Sequence, residues 1–131
     1  MAQAFSDDKR CIFIIEKDAH TAHLLDYLLS REGYNIVIAT NCASALLQMR
    51  KMLSPTIIFL GLQLAMESDQ AMLKHIRSMP GWITTPVVLL AENYAYQEID
   101  TAMEFGANDY IMLPFNPAEL LTHIRRQTPV M

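Results

Sequence analysis

The chain has 131 residues, 52% of them hydrophobic and 18% charged, with a net charge of −4. That is the composition of one globular domain able to bury a sizeable core, and it excludes a disordered chain. The acidic balance offers a nucleic-acid backbone no basic face, and no apolar run approaches the roughly 20 residues of a membrane span.

The opening Met1-Ala2-Gln3-Ala4-Phe5-Ser6-Asp7-Asp8 is too polar for a secretory signal. Cys11 and Cys42 lack metal-ligand spacing, so a reducing, cytoplasmic setting is expected. Residues 1–10 read as a tail, 11–127 as the domain and 128–131 as a second tail. The chain is either a small complete protein or a domain of a longer one.

Five short apolar runs alternate with helical patterns, which predicts a doubly wound α/β sheet. The first run covers 11–15, and Leu24, Leu25, Leu28 and Leu29 then form a helical stripe that Gly33 ends. The second run covers 35–39 and is followed by Ala45, Leu46, Met49 and Leu53 at helical spacing. The third covers 56–60, with Met72, Leu73, Ile76 and Met79 behind it and a stop at Met79-Pro80-Gly81. The fourth covers 86–90, followed by Ile99, Ala102 and Met103 and then Gly106. The fifth covers 109–112 and leads to Asn116-Pro117-Ala118-Glu119, which supplies a cap, a first-position proline and an acid. Leu120, Leu121 and Ile124 follow it. The first, third and fourth runs are almost continuously apolar, as parallel strands covered on both faces require.

Open parallel sheets bind ligands beyond the carboxyl ends of their strands. The positions to inspect are therefore Glu16-Lys17-Asp18, Gly61, Ala91-Glu92 and Leu113. Through these positions the chain resembles the receiver domains of two-component response regulators, in a degenerate, pseudo-receiver form. The resemblance is carried by Ile12-Phe13-Ile14-Ile15-Glu16-Lys17-Asp18, by Gly33-Tyr34-Asn35-Ile36 and by residues 55–62. It continues through Pro86-Val87-Val88-Leu89-Leu90 and the stretch from Phe105-Gly106-Ala107-Asn108-Asp109-Tyr110 to Leu113-Pro114-Phe115. The implied fold is a single flavodoxin-like (βα)5 unit. Its five-stranded parallel sheet would run in the order 2-1-3-4-5, with helices on both faces.

The resemblance also implies a chemistry that these residues lack. Receivers carry two adjacent acids for Mg²⁺ after the first strand; Glu16 keeps one and Lys17 replaces the other. The phospho-acceptor aspartate is Gly61, the phosphate-binding hydroxyl is Ala91 and the phosphate-pairing lysine is Leu113. The Met-Pro that often follows the acceptor is Leu64-Ala65. Mg²⁺ needs several oxygen ligands, and phosphoryl transfer needs positioning and charge neutralisation, so no Mg²⁺, no cofactor and no enzymatic activity are expected.

In this vestigial pocket, formed by Glu16, Lys17, Gly61, Ala91, Glu92 and Leu113, Lys17 has two readings. Its ammonium either reaches Glu16 or Glu92, or points into solvent. Asp18 reads as a helix cap, and His20 and His23 as an exposed helix face. The Leu113–Pro114 bond aligns with one that is commonly cis in receivers.

The expected function is a phosphorylation-independent signalling module that meets a protein partner, or a second copy, through the fourth helix, fifth strand and fifth helix. Tyr94, Tyr96, Ile99 and Tyr110 are the expected interaction residues. Tyr110 aligns with the aromatic switch residue of receivers, and Ala91 leaves room for it to lie inward. The alternatives are a response regulator phosphorylated on another carboxylate, Glu16 or Glu67, or a flavodoxin-like small-molecule binder. The loop from Glu16 to Thr21 lacks the glycine- or hydroxyl-rich cradle that a phosphate-bearing ligand needs.

Overall fold

A computed structural model of the chain describes residues 10–62, 66–92 and 95–128, with only the backbone given at 66 and 67. Ten elements alternate along it. They are β1 (Cys11–Ile15), α1 (Ala19–Arg31), β2 (Asn35–Ala39), α2 (Cys42–Met49), β3 (Ile57–Gly61), α3 (Met66–Ser78), β4 (Val87–Glu92), α4 (Tyr96–Glu104), β5 (Asp109–Leu113) and α5 (Pro117–Gln127). The strands form one parallel sheet in the order β2-β1-β3-β4-β5.

The apolar runs explain the order of burial. β1, β3 and β4 are the three central strands, and all their residues but Cys11 and Glu92, at strand ends, are buried. β2 and β5 are edges, and both are only partly covered. On one face Phe13, Ile58, Leu60, Val87 and Leu89 pack against Met49, Leu73, Ile76, Ile99 and Ala102. On the other Ile12, Ile14, Phe59, Val88 and Ile111 pack against Leu25, Leu29, Leu120 and Ile124. Trp82, 2% exposed, meets Phe13 edge-on at 6.4 Å.

Local chemistry sets the helix ends. Asp18 accepts from the Thr21 N–H at 3.1 Å, and Asn116 from the Glu119 N–H at 2.7 Å with Pro117 behind it. Gly33 and Gly106 take the positive φ values, 94° and 115°, that turn the chain after α1 and α4. Leu53 departs from the expected stripe. α2 ends at Met49 and Leu53 is 87% exposed. The Lys51 N–H closes a turn onto the Gln48 carbonyl, and the Ser54-Pro55 step disfavours helix just beyond. β4 runs past the expected end at 90, because Ala91 and Glu92 keep their ladder to Met112 and Leu113 after the apolar run stops.

At the start of β5 the Asp109 carboxylate ties the strand to α5. Its Oδ2 faces His123 Nδ1 at 2.7 Å and Arg126 Nη1 at 3.0 Å, and its Oδ1 accepts from the Tyr110 N–H at 2.9 Å. Burial alone would raise this carboxyl, but the His123 bond, the Tyr110 N–H and the nearby charges outweigh it and hold it below the usual range. A folded-state pKa below the unfolded one stabilises at all pH values above the unfolded pKa of about 3.9, and that stability is lost as pH falls through the folded value. Asp109→Asn is expected to cost about 1–2 kcal/mol at neutral pH and to flatten the acid limb of stability. Urea midpoints across the acid range check this, and an unchanged acid slope would refute it.

Candidate functional site at the carboxyl edge of the sheet

Parallel pairing delivers the carboxyl ends of β1, β3, β4 and β5 to one edge. Ile15 pairs with Leu60, Gly61 with Leu90 and Glu92 with Leu113, so Glu16, Gly61, Ala91, Glu92 and Leu113 share that edge.

Glu16 decides its geometry. It follows β1, its N–H donates to the Ala39 carbonyl at 3.0 Å, and it is 6% exposed. Its side chain turns inward over Gly61, and Oε2 accepts from the Asp18 N–H at 2.8 Å. A Cβ at position 61 would fall into this carboxylate, 2.8 Å from Cδ and 3.3 Å from Oε2. The glutamate thus fills the space into which a side chain at 61 would grow. Burial raises its pKa; the Asp18 N–H and Lys17 oppose this, while the charges of Asp18 and Glu92 add to it.

Lys17 is exposed and forms no ion pair among the described residues, so of its two readings the solvent one holds. A backbone N–H, not an ammonium, meets Glu16. Asp18 is the cap of α1, its carboxyl lowered by the Thr21 hydroxyl and N–H. Ala91 is 2% exposed in the core, and Leu113 packs against the apolar cluster of α1 and α5. Glu92 is exposed. The Leu113–Pro114 bond is cis.

A magnesium ion asks for several oxygen donors in near-octahedral array. Among the described residues this edge presents one buried carboxylate, already bonded to an N–H, with a lysine beside it and no side-chain oxygen at residue 61. That donor set does not fit the ion. His20 and His23 are exposed on α1, and no group of three or more metal-ligating side chains occurs among the described residues. Nor is any helix of the described residues long and apolar enough to cross a membrane.

The expected interaction residues divide. Tyr96 opens α4 and is 63% exposed, and Tyr110 on β5 is 41% exposed. Tyr110 therefore does not lie inward. Ala91 shares its buried cluster with Ile99 and Ala102, and Met112, its ladder partner, packs against that cluster. Ile99 is 3% exposed and belongs to the core, not to the surface, because it shares the inward stripe of α4 with Ala102. Leu64, Ala65, Tyr94 and the side chain of Glu67 lie outside the described residues.

Comparison with known proteins gives this architecture a lineage. The response regulator receiver domain pattern matches residues 12–125. The transcriptional regulatory protein KdpE of Staphylococcus aureus is 33% identical over 87% of this chain and 48% of its own length. The DNA-binding response regulator MtrA of Mycolicibacterium paratuberculosis is 30% identical over 87% of this chain and 49% of its own. The chain thus spans about half the length of these curated relatives. A putative response regulator from Chloroflexus aurantiacus superposes with a TM-score of 0.83 at 26% identity, covering 92% of this chain and 98% of that one. With its sheet order, its carboxyl-edge pocket and this match over nearly its whole length, the chain belongs to the response regulator receiver domain family.

Proposed function

We propose that this receiver domain signals without being phosphorylated, as a cytoplasmic interaction module and not as an enzyme. The observation that carries the reading is the Glu16 side chain lying over Gly61, where the family's acceptor carboxylate would stand. Supporting it, Lys17, Ala91 and Leu113 withhold the second acid, the hydroxyl and the lysine. Phosphoryl transfer works almost entirely by positioning and charge neutralisation, and those are the contributions missing here. With no phosphoryl group to change its state, the edge stays in one arrangement. Output then rests on standing contacts of the face built by α4, β5 and α5, where Tyr96 and Tyr110 offer exposed amphipathic rings to a protein partner or a second copy.

Intact mass after incubation with a small-molecule phosphodonor and Mg²⁺ tests the reading. The expected spectrum contains unmodified protein only. A phosphoryl adduct, on Glu16 or on any other carboxylate, would refute it.

A further inference from the structure

Beside the vestigial pocket lies a cavity of about 310 Å³, lined by Thr21 and Leu24 of α1, by Glu92 at the end of β4, and by Leu113, Pro114 and Phe115. Its volume is at the lower end of the range found for small-ligand sites. Leu24, Leu113, Pro114 and Phe115 make the walls apolar, and Leu24 stays 48% exposed there.

Among the described residues, the polar side chains that line the cavity, Glu92 and Thr21, both offer acceptors. Glu92 is the one charged side chain among the described lining residues, and an ionised carboxylate accepts hydrogen bonds and donates none. The Thr21 hydroxyl donates its proton to Asp18 Oδ2 at 2.6 Å, which leaves it lone pairs alone to offer. The ladder places Leu113, an apolar residue, directly opposite Glu92. Glu92 forms no ion pair among the described residues. A hollow with apolar walls, acceptors and a negative charge selects an occupant with the opposite features. That occupant carries a positive charge, donates hydrogen bonds and brings an apolar body of modest size.

We propose that this cavity binds a small organic ammonium ion, its charged head at Glu92 and Thr21 and its apolar body against Leu24, Leu113 and Phe115. A bare metal ion would leave the apolar walls unused. An anionic ligand would meet the Glu92 carboxylate and find no side-chain donor among the described lining residues.

The probe is phenethylammonium, added at neutral pH to the isotopically labelled chain and followed by NMR. Saturable shifts of the Leu24 and Leu113 methyls and of the Phe115 ring are expected. Glu92→Gln preserves size and lies at an exposed position, and it should weaken binding by about tenfold or more; a well-dispersed spectrum of the variant verifies its fold. The uncharged 2-phenylethanol should bind weaker by a similar factor, and phenylacetate should not bind. Leu113→Lys should abolish binding by placing a competing ammonium across from Glu92. Absence of saturable shifts at millimolar probe would overturn the proposal. Equal binding of the alcohol, or an unchanged affinity in Glu92→Gln, would do the same. The readout is occupancy of the cavity and is blind to phosphoryl transfer, so its failure is distinct from that of the phosphodonor experiment.

Discussion

Arg77→Met is expected to lower the unfolding free energy by about 3 kcal/mol, read as a fall in the urea midpoint with little change in slope. Arg77 is in the last turn of α3, a place where a basic residue ordinarily faces solvent and helps the helix dipole a little. Here the guanidinium folds in against three backbone carbonyls. Nε and Nη2 donate to the Gly106 carbonyl at 3.1 and 2.6 Å, and Nη1 donates to the Trp82 and Thr85 carbonyls at 3.1 and 2.7 Å. Nη2 also reaches Asn108 Oδ1 at 2.8 Å, and that oxygen accepts from the Val87 N–H at 2.8 Å. The fork geometry of arginine therefore holds the end of α3, the turn into β4 and the loop into β5 together.

No carboxylate offsets this charge among the described residues; carbonyl dipoles do. Burial lowers the pKa of the group, yet an arginine keeps its proton in proteins. Bonds to a charged donor contribute about 1.5–3 kcal/mol each when isolated, but they share one side chain here and the site is only partly buried. The net estimate is accordingly nearer one or two such bonds than five. Methionine keeps the apolar stem and strands the carbonyls. Arg77→Lys should recover less than half of the loss, since a point charge cannot span three directions at once. A loss below about 1 kcal/mol for Arg77→Met would show that water replaces the guanidinium without cost.

The difference between what could and could not be foreseen follows sequence separation. The runs 11–15, 56–60 and 86–90 mark the three central strands because burial on two faces demands unbroken apolar sequence, and the sheet order bears this out. Asp18 and Asn116 are legible as caps because each acts on an N–H three residues away. Ile99 carries two sequence readings, an inward stripe with Ala102 and a place on the partner face; helical spacing proves the better guide.

The pocket positions were legible as a set, since topology alone brings the strand ends together. The direction of the Glu16 side chain was not. It depends on a free volume created by Gly61, which is 45 positions away in the chain. Arg77 is a similar case, its farthest contacts lying 29 and 31 residues off. An arginine in a helix's last turn carries no sequence signal that it will turn back into the loops.

Gly61→Asp by itself is expected to remain unphosphorylated, because restoring the carboxylate does not restore the site. The new Cβ enters the space of the Glu16 carboxylate. Glu16 is flexible at that end and can leave, but leaving breaks its 2.8 Å bond from the Asp18 N–H. The incoming aspartate would also join Glu16, Asp18 and Glu92 at an edge where Lys17 is the one cation among the described residues that pulls the other way. Adding a fourth carboxylate there raises carboxyl pKa values and leaves a dication without a suitable pair of adjacent acids. The five-fold variant Glu16→Asp, Lys17→Asp, Gly61→Asp, Ala91→Ser and Leu113→Lys removes each obstacle. The shorter side chain it carries at position 16 withdraws from the space over residue 61, two adjacent acids can hold Mg²⁺, and a hydroxyl and an ammonium meet the transferred group. Incubated with a small-molecule phosphodonor, it should show a Mg²⁺-dependent phosphoryl adduct by intact mass, absent when position 61 is returned to glycine. If Gly61→Asp alone were modified as readily as the five-fold variant, Glu16 would not be what keeps this edge closed, and the edge would differ from an active receiver by one residue alone.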